Sequence, residues 1–144
     1  MDVTIKRIDP TLDLPKYQTS GSVFFDLPVR ETTRVEPGKV ALLPLNVVVQ
    51  TPPGYFFLLV PRSSTPIKKG LLIPNGIGVI DQDYCGEEDE VKLLVFNFTE
   101  AAVTVERGER IAQGGFVPVE RAGWAEVEHM DEASRGGFGS TGER

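Results

Sequence analysis

Pro53-Gly54-Tyr55-Phe56-Phe57-Leu58-Leu59-Val60-Pro61-Arg62-Ser63-Ser64 decides the fold class. A turn dipeptide opens it, six apolar or aromatic residues follow, and a proline closes it before a forked cation and two hydroxyls. Such a run, too short for a helix and bounded by φ-restricted or φ-permissive residues, is a buried strand. The same grammar extends in both directions. Val40 to Val49 and Val91 to Phe98 are further apolar runs, and Val3-Thr4-Ile5 and Val103-Thr104-Val105 alternate as half-buried strands do. Pro37-Gly38, Asn75-Gly76 and Arg107-Gly108 supply turns between them. Ten of the eleven prolines lie at or before Pro74. A proline inside a helix costs about 3 kcal/mol, so helix is disfavoured through that half of the chain. Many short strands predict an all-β sandwich or barrel.

With 144 residues, 40% of them hydrophobic and 25% charged, the chain is one ordinary globular domain. No stretch approaches the roughly 20 apolar residues of a spanning helix, and Met1-Asp2-Val3-Thr4-Ile5-Lys6 is not the start of a signal peptide. A cytoplasmic protein without membrane partners is expected. One cysteine, Cys85, and one histidine, His129, exclude an internal disulfide, an all-Cys/His zinc site and a Cys-His nucleophile pair. A net charge of −6 argues against nucleic acid as a partner but leaves room for a small anion at a local basic cluster.

Three segments hold the candidate chemistry. Arg62-Ser63-Ser64 emerges at a strand end with donors suited to phosphate oxygens; an ordinary surface turn with an ion pair is the alternative. Gly76-Ile77-Gly78-Val79-Ile80-Asp81-Gln82-Asp83-Tyr84 leads an apolar strand into two acids and an aromatic, which places Asp81 either to orient a water or to cap a turn. Arg135-Gly136-Gly137-Phe138-Gly139-Ser140-Thr141-Gly142 has four glycines in eight residues. It is either a frayed tail or an arm whose ring and backbone amides order over an anionic ligand.

Together these segments resemble the trimeric dUTPases, which hydrolyse deoxyuridine triphosphate. Five short motifs stand in the family's order across nearly the whole chain: Ser20-Gly21-Ser22 to Asp26-Leu27; Pro61-Arg62-Ser63-Ser64 with Lys69-Gly70; Asn75-Gly76 through Asp81-Gln82-Asp83-Tyr84 to Gly86; Gly108-Glu109-Arg110-Ile111-Ala112-Gln113; and Gly136 to Gly142. The resemblance implies a jelly-roll-like β-barrel over residues 1–130, a glycine-rich arm over 131–144 acting as a lid, and a homotrimer with shared sites. It implies hydrolysis of dUTP to dUMP and pyrophosphate with Mg2+ on the phosphates, limiting uracil entry into DNA and supplying dUMP for thymidylate synthesis. By the same resemblance Asp81 is the catalytic acid that orients the attacking water, and Tyr84 stacks under the deoxyribose. Asn75, with backbone at Gly78 and Ile80, reads uracil. Arg62, Ser63, Ser64 and Gln113 hold phosphates, Arg135, Phe138, Gly139 and Ser140 close from the arm, and Asp26 acts through waters around the metal.

Departures from the pattern are visible as well. Val23-Phe24-Phe25 stands where small residues usually precede the acid of the first motif, and reads as core or interface packing. Ala133 occupies the family's usual arginine position, with Arg135 immediately before the double glycine. Glu87-Glu88-Asp89-Glu90 extends the third motif and reads as a solvated hairpin tip, because four like charges resist burial. Cys85 reads as a small buried apolar group and His129 as an exposed residue. Two rivals share the fold: a dCTP deaminase, alone or bifunctional with pyrophosphatase activity, and a non-catalytic nucleotide-sensing protein. The deaminases lack an arm of this type and use a glutamate where this chain reads Leu93-Leu94-Val95-Phe96.

Overall fold

The structure, a computed structural model, describes residues 1–137. In chain order the strands are β1 (Thr4–Arg7), β2 (Phe25–Pro28), β3 (Thr33–Val35), β4 (Val40–Pro44), β5 (Val47–Gln50), β6 (Tyr55–Pro61), β7 (Leu71–Leu72), β8 (Gly78–Ile80), β9 (Lys92–Asn97), β10 (Val103–Val105) and β11 (Arg110–Pro118). They form a four-stranded sheet in the order β2-β11-β6-β8, a three-stranded sheet β4-β9-β7, and the pairs β1-β5 and β3-β10. Every pairing is antiparallel. The all-β expectation holds, and so do the strands read at Tyr55, Val91 and Val103. The turn read at Asn75-Gly76 is a chain reversal in which Gly76, at φ 78°, takes a backbone conformation that a side chain resists.

Two details differ from the sequence reading. The run from Val40 to Val49 is not one strand. It breaks at Leu45-Asn46, where Asn46 is buried at φ 68° and its side chain bonds the Asp9 backbone, accepting from the N–H at 2.7 Å and donating to the carbonyl at 3.0 Å. A single helical turn, α1 (Thr65–Lys69), interrupts the proline-rich half. It is compatible with Pro66 because a proline at the start of a helix gives up an N–H that has no helical partner there.

The core lies between the inward faces of the sheets. Phe57 and Leu59 of β6 meet Leu27, Leu43, Leu93, Val95 and Ile111, all buried. Phe25 stacks on Phe57 at 5.8 Å and Phe116 closes on Phe57 at 5.3 Å, so Phe25 packs as core, while Phe24 lies half-buried over Gly115. Gly114 is required by the ring of Phe57: a Cβ there would stand 2.2 Å from its Cζ. Gly114→Ala is therefore expected to destabilise the fold by about 1–3 kcal/mol through overpacking, read as a lower denaturant midpoint. An unchanged midpoint would mean that the ring has room to move.

Candidate active site

β6 is the spine of the site, because each of its ends carries a different group. At its far end the chain leaves Pro61 into Arg62, whose N–H is fixed by the Ile111 carbonyl at 3.0 Å. Arg62 Nε stands 3.1 Å from Asp26 Oδ1, and Arg110 Nη1 stands 3.3 Å from Asp26 Oδ2. Asp26 is buried between these two cations, and its Oδ2 accepts no hydrogen bond among the described residues. Gln113 lies directly opposite Asp26 in the β2–β11 register and donates to the Pro61 carbonyl at 3.1 Å. Ser63 is exposed, and Ser64 precedes α1 without capping it through its side chain. A recess of about 520 Å³ beside them is lined by Asp26, Arg110, Lys16 and Gln18.

Arg110 reaches this cluster through a β-bulge. Gln113 pairs with Asp26 and Ala112 with Leu27, yet Arg110, and not Ile111, stands opposite Pro28. The extra residue turns Ile111 into the core, where it is 3% exposed, and swings Arg110 onto the face of Asp26. Counting by twos from Gln113 puts Ile111 on that face, so strict alternation misses Arg110. The bulge would have been the only signal, and it is set by pairing across the sheet.

A second group lies along β8 and the loops that flank it. β8 pairs with β6 so that Gly78, Val79 and Ile80 face Leu59, Leu58 and Phe57. A Cβ at Gly78 would lie 3.0 Å from Leu59 Cβ, which explains a glycine in this strand. Asp81 follows β8 directly, is exposed, and lines a recess of about 530 Å³ with Tyr55, Phe56, Val79, Gln82 and Arg121. Gln82 pins the loop by donating to the Tyr55 carbonyl at 2.8 Å. Tyr84 is partly exposed, its N–H bonds the Asp81 carbonyl at 3.4 Å, and its hydroxyl donates to the Glu90 carbonyl at 3.2 Å. Asn75 is exposed on the reversal before β8, with its carbonyl accepting from Ile77 at 2.9 Å.

The fold thus brings Asp26, Arg62, Arg110 and Gln113 together, and separately strings Asn75, Gly78, Ile80, Asp81 and Tyr84 along one strand and its flanking loops. Asp81 stands apart from the Asp26 cluster within one chain, while Gly78, opposite Leu59, lies nearer to it. Asp81 lies beside Phe56, and the path from Phe56 to Arg62 is roughly 15–20 Å at about 3.3 Å per residue of extended chain. A third recess, lined by Val3, Ile5, Tyr17, Phe25 and Phe116, is apolar and holds none of these residues.

After β11 the Val119 N–H bonds the Gly54 carbonyl at 2.9 Å, and residues 120–137 are all exposed. Arg135 and His129 stand in this segment, with Trp124 at 93% exposure. Phe138, Gly139 and Ser140 lie outside the described residues.

The dUTPase family model matches residues 11–142. The chain belongs to the dUTPase family. The deoxyuridine 5'-triphosphate nucleotidohydrolase of Anaeromyxobacter sp. (strain Fw109-5) is 39% identical over 149 residues, covering 99% of both chains. That of Lactococcus lactis is 36% identical over 144 residues, 98% of this chain and 95% of the relative. Among solved structures, the dUTPase from Streptococcus mutans matches with TM-score 0.76 at 34% identity, over 83% of this chain and 98% of that one. The Staphylococcus bacteriophage 80alpha dUTPase with dUPNHPP matches with TM-score 0.86 at 26% identity, over 98% of both.

Set beside the dUTPase motifs, the acidic run after Tyr84 needs correcting. Glu87 and Glu88 are exposed, but Asp89 folds back to accept the Gly86 N–H at 2.7 Å, and Glu90 is only 5% exposed. Glu90 takes Arg30 in a two-pronged grip, Nε to Oε1 at 2.8 Å and Nη2 to Oε2 at 2.9 Å, and also accepts the Asn46 N–H at 2.9 Å. These bonds from Glu90 raise the Arg30 guanidinium above its ordinary value against the opposing pull of burial. The like-charge argument fails for Glu90 because a cation distant in sequence meets it. Cys85 is half-buried, with Sγ 3.5 Å from the Gln82 carbonyl, and not a core residue.

Proposed function

We propose that this chain hydrolyses dUTP to dUMP and pyrophosphate, limiting uracil entry into DNA and supplying dUMP for thymidylate synthesis. Family membership over residues 11–142 carries the reading, with relatives that bear the name of this activity. Asp81, exposed at a recess beside a short edge strand, orients a water and takes its proton as the oxygen attacks the α-phosphorus. The bond from that phosphorus to the bridging oxygen breaks and pyrophosphate leaves. Catalysis is positioning and charge stabilisation, with no covalent enzyme intermediate.

Asn75 and the backbone at Gly78 and Ile80 read the uracil edge, and the Tyr84 ring lies where a ribose would carry its 2′-hydroxyl. Arg62, Ser63, Ser64 and Gln113 hold phosphate oxygens. Arg135, Phe138, Gly139 and Ser140 close over the nucleotide from an arm spanning residues 131–144, beyond a barrel domain of residues 1–130.

Mg2+ bound to the substrate phosphates supplies charge neutralisation. Among the described residues no three His, Cys, Asp or Glu side chains converge on one point. The residue suited to this ion is Asp26, which lines a recess with Lys16 and Gln18 between two arginines and would act through one of the ion's waters.

The site is shared between copies in a homotrimer. Two observations support this. Asp81 and the Arg62–Gln113 cluster lie at opposite ends of β6, so joining one to the other between copies is a head-to-tail contact, which forms a ring where the rotation closes. The β4-β9-β7 sheet is also apolar on both faces: outside, Val40 and Leu72 flank Phe96 in register, and Leu42 lies opposite Leu94. Val40, Leu42 and Leu72 are 60%, 58% and 45% exposed in the single chain, a patch suited to burial against a second copy. No helix among the described residues is long and apolar enough to cross a membrane, and we place the enzyme in the cytoplasm.

Incubation with each deoxynucleoside triphosphate and Mg2+ tests the reaction. dUTP is expected to give dUMP and pyrophosphate, with no ammonia from dCTP. Ammonia release would point to the deaminase, and dUTP binding without turnover to a sensor.

A further inference from the structure

We propose that Glu90 is a positioning residue for sugar selection: it holds the Tyr84 ring in place through its own main chain. The inference rests on the reading above that Tyr84 excludes ribose.

Tyr84 is held at both ends. Its backbone N–H bonds the Asp81 carbonyl at 3.4 Å, and its hydroxyl, at the far end of the ring, donates to the Glu90 carbonyl at 3.2 Å. A partly exposed tyrosine on a loop has free rotation about two side-chain bonds unless its hydroxyl is tied, and a ring that swings away makes room for a 2′-hydroxyl. The tie is only as firm as the carbonyl that accepts it. Glu90 is the firmest point of the Asp81–Glu90 loop: its side chain is buried, gripped by Arg30 through both oxygens, and accepts the Asn46 N–H. The next residue, Val91, is fully buried and donates to the Val47 carbonyl at 2.8 Å. Of the loop's other charged residues, Asp81, Asp83, Glu87 and Glu88 are exposed. Glu87 pairs with Lys6, and Asp89 bonds the Gly86 N–H. Among the described residues, the Glu90 carbonyl accepts the Tyr84 hydroxyl while its side chain belongs to the barrel's buried polar network. Glu90→Gln puts an amide NH2 against the Arg30 guanidinium in either orientation, and against the Asn46 N–H as well in one of them, which loosens the anchor of this main chain.

The test is the ratio of kcat/KM for dUTP to that for UTP, with thermal midpoints measured in parallel. Tyr84→Phe, which keeps the ring and removes the tie, and Glu90→Gln are each expected to lower the ratio about fivefold to tenfold, the worth of one neutral hydrogen bond, mainly through a gain on UTP. Arg30→Lys, which breaks the two-pronged grip from the other side, does the same should Glu90→Gln fold poorly. Val95→Ala, a core truncation away from the loop, lowers the midpoint and leaves the ratio unmoved. If Tyr84→Ala collapses the ratio while Tyr84→Phe and Glu90→Gln hold it within about twofold, the ring excludes ribose without the tie and the proposal is wrong. If Tyr84→Ala leaves the ratio intact, the reading of Tyr84 fails and the tie loses its purpose with it.

Discussion

Asp81→Asn is expected to lower kcat for dUTP by about a hundredfold to ten-thousandfold, the usual contribution of a positioned general base. The amide has the volume of the carboxylate and can still orient a water or bond a sugar hydroxyl, but it cannot take the proton of the attacking water. Binding of a non-hydrolysable dUTP analogue should therefore stay within severalfold of the parent. Asp81 is exposed and follows a strand whose pairing with β6 does not depend on its side chain, so the fold should persist. Pyrophosphate release and calorimetric binding together check this. Parental turnover would remove Asp81 from the proposed role, and lost binding with intact kcat would make it a substrate clamp instead.

Removal of residues 135–144 is expected to leave a folded oligomer with kcat/KM reduced about a hundredfold, the order of loss when substrate alignment is relaxed. Among the described residues the buried core ends at Ala112 with Phe116 packed against it, and residues 120–137 are exposed. Thermal midpoint and oligomeric mass should stay at parental values. An unchanged rate would make the segment a tail and not a lid; a lower midpoint would give it a part in the fold.

What the sequence made legible is local. Proline and glycine act through neighbouring dihedral angles, so the strands around Tyr55 and Val91 and the reversal at Asn75-Gly76 can be read without knowing what they pair with. The third motif is likewise one continuous stretch, and its residues keep along β8 the order they have in the chain. What escaped depends on partners far away. Arg110 meets Asp26 only because a bulge shifts the β2–β11 register, and Glu90 is buried only because Arg30 and Asn46 surround it. The break at Asn46 depends on the Asp9 backbone, which accepts and donates to its side chain. Composition and alternation carry none of this, because each feature is fixed by a contact between segments and not by a pattern within one.

In the proposed trimer the Asp81 group of one copy works with the Arg62–Gln113 group of another. Mixed oligomers test this most directly: Asp81→Asn and Gln113→Ala chains, carrying different tags and each nearly inactive alone, are co-expressed and purified through both tags. With sites shared around a ring of three, every oligomer that carries both tags has about one site in three with both groups intact, so activity should recover to roughly a third of the parental rate. Mixed oligomers no more active than either variant alone would place both groups of each working site in a single chain and contradict the account.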